Sequence, residues 1–308
     1  MRISAVLLLG TLAFAPDAHA QASDASPLVL FLPASARATG LGNAAVAIRD
    51  EYAVFYNPAQ INTGLGAVAG FTSYGGDAML ATLTGATTVN WLTLGWGVEA
   101  VKYSVGAANP YPFAPAELTR PGSRDALSLV LGAGGNFLVK GFRTGIGVKY
   151  VEDRVASVGL AGAGRIGVPA ILNGLLLADV GVSHSLLSGQ AALSVQHIGD
   201  PGRSDRPMQE SLGWARQMQA RQLDLGFAAQ VTERNRSVYA GGGVEVGYGW
   251  IEGWSAALRA GARRTETTAQ RPVSVGGTLN ADHLVVDYAL EFFERSGYAH
   301  HVSLRWRP

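Results

Sequence analysis

The chain has 308 residues, with 24 Lys and Arg against 23 Asp and Glu. This near-neutral balance lacks the basic stripe of a nucleic-acid binder, so no nucleic-acid partner is expected. Cysteine is absent, which excludes disulfides and thiolate metal sites. Only 15% of residues are charged and 40 are glycine, against about 25% charged and about 7% glycine in ordinary soluble domains. A surface so poor in charge suits lipid better than water.

The first predicted element is an export signal. Met1-Arg2 is a positive start, residues 3–15 form an apolar or small-residue run, and Ala18-His19-Ala20 supplies the small-x-small pattern of a signal-peptidase site. Residues 1–20 are expected to be removed by cleavage after Ala20. The run is too short for a membrane helix, which needs about 20 apolar residues. The strongest later candidate, residues 168–182, is interrupted by Pro169, Asn173 and Asp179. Only helices and closed barrels satisfy their backbone groups in lipid. The chain is therefore expected to be an all-β transmembrane antiparallel barrel in the bacterial outer membrane, with outer-membrane lipid as its partner.

Residues 21–65 form the second unit and do not alternate. Residues 37–61 read as a turn, a short helix and a second turn. Gly40 and Gly42 permit unusual backbone angles, Asp50 is placed to cap a following turn, and Pro58 keeps Asn57 out of a helix. The small, mildly apolar composition suits a segment folded in a barrel mouth.

Residues 66–308 form the third unit, and their period is two. In residues 284–292, Leu284, Val286, Tyr288, Leu290 and Phe292 share one face and Asp287, Ala289 and Glu291 the other. Val302, Leu304 and Trp306 likewise oppose His301, Ser303 and Arg305, and Leu258 opposes Arg259. A barrel strand alternates in this way, one parity toward lipid and the other toward the lumen. A soluble β-sandwich also alternates, but the small residues and charges gathered on one face favour the barrel.

About fourteen strands are predicted, centred near residues 70, 83, 96, 131, 147, 179, 194, 213, 227, 243, 259, 276, 288 and 302. Short turns are placed near Val139-Lys140, Leu187-Ser188, Gln219-Ala220, Ile251-Glu252 and Ala281-Asp282. Longer connections alternate with them, at 104–124, 155–172, 199–208 and 265–271. Tyr74, Trp91, Tyr103, Tyr248, Trp254, Tyr298 and Trp306 sit near strand ends, as interfacial girdles require. Hairpin counting sets Glu245 against Arg259, Asp287 against Arg305, and Glu291 against His301 as pairs lining the lumen.

The run from Gly40 and Gly42 through Asp50 to Asn57-Pro58-Ala59, preceded by Arg37, resembles the N-terminal hatch of the FadL-like outer-membrane barrels. Together with Val148-Lys149-Tyr150, Tyr239-Ala240-Gly241, Asp287-Tyr288-Ala289 and the closing His300 to Leu304 stretch, it is most similar to the PorV/PorQ branch. The resemblance implies a fourteen-stranded barrel with an N-terminal plug. It also implies an accessory or structural role with an export-machinery protein as partner. The alternative within the family is transport of a hydrophobic small ligand, for which residues 110–115 of the longest loop are candidate lining. Such barrels usually end on an aromatic residue, so Trp306 has to serve here.

Enzymatic chemistry is not expected. His301 and Ser303 share a strand face near Asp287 and Glu291, the one sketch of a barrel-wall hydrolase, but no spacing dictates it. His184, His197 and His283 show no ligand spacing. The glycine runs at 132–135 and 241–243 lack the helix and Lys-Ser/Thr of a phosphate loop, and small lumenal residues making room for a plug account for them. No cofactor and no metal are expected.

Overall fold

The computed structural model describes residues 27–62, 66–74, 78–105, 122–136, 141–155, 170–199, 208–234, 237–264, 270–293 and 297–306. The expected signal peptide, the turn at Val139-Lys140 and the loop stretch at 110–115 lie outside these residues.

Fourteen antiparallel strands follow one another around the wall. They are β1 (Ala67–Ser73), β2 (Met79–Val89), β3 (Leu92–Val105), β4 (Gly122–Gly135), β5 (Phe142–Val155), β6 (Ala170–Leu186) and β7 (Gly189–Ile198). The second half continues with β8 (Gln209–Ala220), β9 (Leu223–Arg234), β10 (Ser237–Ile251), β11 (Trp254–Arg263), β12 (Gln270–Ala281), β13 (Leu284–Phe293) and β14 (Gly297–Trp306). Each pairs with its sequence neighbours, and β1 pairs with β14, Val68 opposite Arg305 and Thr72 opposite His301, so the sheet closes. Closure leaves no edge strand unpaired.

Alternation accounts for the wall. Burial along β13 swaps residue by residue, with Asp287, Ala289 and Glu291 buried and Leu284 and Tyr288 exposed. Leu258 is 75% exposed while its neighbour Arg259 is 6% exposed. Leu94, Trp96, Leu131, Ile146, Val148, Leu212, Val244 and Leu304 continue the exposed apolar band around the outside. In water such a band would be far larger than the apolar patches soluble monomers expose.

One end carries the tight turns. Their residues take the left-handed backbone that two-residue hairpins need: Asn90, Leu187, Ser188, Arg221 and Asp282 have φ between 51° and 57°, and Gly253 has φ 78°. The turns at Arg221, Gly253 and Asp282 sit one or two residues later than expected. The long connections of β3–β4, β5–β6, β7–β8 and β11–β12 share the opposite end, called here the loop end. Exposed Trp91, Trp250, Trp254 and Trp306 ring the short-turn end, and Tyr298 stands at the loop end. Tyr74 departs from the expected girdle. It is 2% exposed and meets the His301 ring edge-on at 5.7 Å, because it follows β1 inward rather than outward.

Residues 27–62 precede the wall. Helices at Ala36–Gly40 and Ala53–Tyr56, and 3-10 turns at Leu28–Leu30 and Pro58–Gln60, replace the single short helix expected. Ser35 caps the first helix by accepting from the Ala38 N–H at 3.3 Å. Asn57 is extended (φ −158°) and its Oδ1 accepts from Ala59 N at 3.0 Å, so Pro58 opens a 3-10 turn instead of continuing a helix.

Candidate functional site: the lumen and its N-terminal segment

The N-terminal segment lies against the inward-facing side chains of the wall. Too short for regular ladders, it draws its backbone partners from those side chains. Thr84 donates to Glu51 O (2.9 Å), Gln196 to Phe55 O (2.6 Å), Ser194 to Tyr56 O (2.9 Å) and Ser274 to Thr39 O (2.6 Å). Arg143 donates to the Ala59 and Ile61 carbonyls at 3.1 and 3.3 Å. Gln230 Oε1 accepts from both Ala45 N and Val46 N at 2.9 Å. None of these partners was legible from strand alternation, which tells which face a residue is on but not what it meets.

Asn57 is fully buried, and its Nδ2 donates to Val46 O at 3.0 Å and Leu193 O at 3.4 Å. The strand residues beneath this turn are glycines because nothing larger fits. A Cβ at Gly181 would stand 1.9 Å from Asn57 Oδ1, and one at Gly145 would stand 2.3 Å from Ala59 N. Gly42, at φ 67°, is seated the same way, with a Cβ at Gly241 falling 2.1 Å from its carbonyl oxygen.

Charged groups form the second layer of contacts. Glu245 and Arg259 oppose each other across β10 and β11 and bond directly. Arg37 of the first helix joins Glu245 at 3.0 Å, and Arg259 continues to Asp287 at 2.9 Å and to Thr278. The expected Asp287–Arg305 pair does not form. Asp287 faces Ser303, and Arg305 reaches Glu51 of the N-terminal segment at 3.1 Å. The reason is the β13–β14 register. Gly297, with φ 84°, opens β14 directly opposite Phe293 and sets the hairpin centre one residue earlier than counted. Glu291 therefore opposes Ala299 but still reaches His301 diagonally at 3.1 Å, and also bonds Arg263. A further pair, Lys149–Asp179 at 3.1 Å, crosses β5 and β6.

His301 is 1% exposed. Its Nε2 faces Glu291 and its Nδ1 faces Thr72 Oγ1 at 3.0 Å, so neither ring nitrogen is turned to Ser303.

Toward the loop end, one side of the lumen wall is apolar, while the facing side across β7–β11 is polar. Leu80, Val101, Ala126, Val151, Leu175, Leu177 and Phe293 line the apolar side, and Val29 and Leu32 of the N-terminal segment pack onto them. Among the described residues, cavities open at both ends of the lumen. One of about 120 Å³ at the loop end is lined by Leu30, Phe31, Gln196, Thr232, Arg234 and Tyr239, with the Arg234 guanidinium 4.4 Å from the Phe31 ring centre and 5.1 Å from that of Tyr239. The other, about 220 Å³, lies toward the short-turn end, with Leu41, Ile48 and Ala228 on its apolar side and Arg37, Arg216 and Glu245 on its charged side.

No protein-family model matches the chain, and no curated protein matches it in sequence. Solved structures do match in fold. The CymD monoaromatic hydrocarbon channel superposes with a TM-score of 0.56 at 11% identity, over 88% of this chain and 96% of that one. The P. putida toluene transporter TodX gives 0.55 at 11% identity, over 88% and 97%. The fold is a closed fourteen-stranded barrel like those of outer-membrane proteins, and its structural neighbours include FadL-like hydrocarbon channels.

Proposed function

We propose that the protein is an outer-membrane channel for small hydrophobic molecules, with the N-terminal segment as its plug and Arg37, Gly40, Gly42, Asp50, Asn57, Pro58 and Ala59 as that plug's seated positions. The observation that carries this reading is the apolar cluster on one side of the lumen toward the loop end. Water-filled barrels line their interior with polar groups, whereas here Val101, Val151, Leu175 and Leu177 face inward. Val29 and Leu32 cover this surface, which favours apolar groups by about 25 cal/mol per Å² buried. The fold shared with CymD and TodX, whose names record aromatic hydrocarbons as cargo, supports the reading.

The exposed apolar band and its tryptophan rim support insertion in the bacterial outer membrane, with export after cleavage at Ala20. The engaged nitrogens of His301 support a non-enzymatic role. An accessory role in protein export, with an export-machinery partner, is the second reading, and it rests on the PorV/PorQ-like motifs alone.

The test is uptake of radiolabelled toluene by cells with and without the gene. Slower uptake on deletion, restored by the wild-type copy, is the expected result. Unchanged uptake, together with export-machinery subunits captured by crosslinking, would overturn transport in favour of the accessory role.

A further inference from the structure

On the outer wall, the register of β1 to β4 sets side chains in rows that cross the strands. One row is Phe71, Ala81, Ala100 and Leu127, and the next toward the loop end is Ser73, Met79, Lys102 and Asp125. Ala81 and Ala100 are small and exposed between Phe71 and Leu127, so the wall is hollowed there into a groove of about 390 Å³. Toward the middle of the wall the apolar band continues in exposed Leu83 and Leu129. The groove is not a gap in the barrel. All three strand pairs keep an unbroken register through both rows, and behind the groove Leu80, Val101 and Ala126 belong to the lumenal apolar cluster.

The loop-end rim of the groove carries charge. Lys102 and Asp125 stand opposite each other, both exposed, and Arg154 follows in the same row on β5, so two cations flank one carboxylate. Glu152, one row lower, is taken by the Tyr150 hydroxyl at 2.7 Å. Lys102 also lines the groove, the usual disposition of a long cationic side chain with its stem on apolar surface at a membrane interface.

We infer that this groove seats one lipopolysaccharide molecule of the outer leaflet. An acyl chain lies over Ala81 and Ala100, and a lipid A phosphate meets Lys102. The order of the groups makes the fit. From the loop end inward the wall presents a cation, a hollow and an apolar band, and an anionic lipid of that leaflet presents phosphate and then acyl chain. The inference rests on the outer-membrane reading and not on transport.

The test is native mass spectrometry of the full mature chain, delipidated in detergent and titrated with lipid A that carries its phosphates or has lost them. Wild type is expected to take up one phosphorylated lipid A and to bind the dephosphorylated form about fivefold less tightly, the worth of one cation at an anionic headgroup. Lys102→Gln should weaken the phosphorylated form by the same factor and leave the other unchanged. Ala100→Trp fills the hollow and should weaken both forms about tenfold, since two methylenes displaced from an apolar seat already cost about that much. Ala81→Leu should act in the same direction. Leu212→Trp, at an exposed position of β8 on the same outer face, should change neither. Folding of each variant is read from its mobility with and without boiling. Folded Ala100→Trp and Ala81→Leu that bind as tightly as wild type would overturn the seat, and so would a wild type indifferent to the phosphates or a loss in Leu212→Trp equal to that in Ala100→Trp. A heat-modifiable barrel that takes up no lipid A removes the seat and leaves the membrane reading standing. A soluble protein without a heat shift removes both.

Discussion

Arg259 shows what a single lumenal residue carries. It bonds Glu245 and Asp287 at once, with only 4% of its side chain exposed. Removing one partner of such a buried set leaves uncompensated charge and typically costs about 3–5 kcal/mol. Arg259→Leu is therefore expected to lower stability by that amount in urea titrations of the folded barrel. Adding Glu245→Gln and Asp287→Asn should recover part of the loss. Asp50 makes a pH prediction. Burial pushes its carboxyl above the usual carboxylate range, against the pull of Arg37 and Arg305. A raised folded value means that its contribution to docking is present at low pH and is lost as pH rises through that value. Protease protection of the N-terminal segment should fall as pH rises above the usual carboxylate range, and Asp50→Asn should flatten that dependence. Of these contacts only Glu245–Arg259 was legible in the sequence, because one short turn fixes the register between them. Arg305–Glu51 was not, since the non-periodic N-terminal segment gives no register to count from.

Strands were the most legible elements, because an outer face and a lumen face of different make-up impose a two-residue period. Leu258→Arg, on the lipid face, is expected to cost roughly 2–4 kcal/mol, and Ala257→Arg, facing inward, less. Equal losses in refolding titrations would contradict this orientation of β11. The turns were placed within two residues, but the positive φ of Arg221 and Asp282 has no glycine to announce it. The two helices and the 3-10 turns of the N-terminal segment were harder to read. They are too short for a 3.6-residue pattern, and their positions are set by the glycine seats beneath them. Gly181→Ala places a methyl 1.9 Å from Asn57 Oδ1. It should expose the 57–59 turn to limited proteolysis while leaving the wall folded, and an unchanged digestion pattern would mean that the seat is not needed.

At the scale of the molecule, composition already separated lipid from water as the solvent for the outer face. The structure adds how the wall closes, β1 on β14, and what lies inside it. The apolar layer beneath the loop end escaped sequence reading. Inward Val101 and Val151 alternate with outward apolar neighbours such as Ala100 and Tyr150, so both faces look alike where the lumen itself turns apolar. The charged belt of Glu245, Arg259, Asp287 and Glu291 borders that layer, and the N-terminal segment is tied to it through Arg37. A closed wall with every ladder paired, bearing an apolar outer band, resists detergent until it is heated. The most direct measurement is therefore the mobility of the mature protein from outer-membrane fractions on gels run with and without boiling. A faster-migrating unboiled band that shifts on heating is predicted. A single heat-insensitive band, with the protein in the soluble fraction, would contradict a membrane barrel.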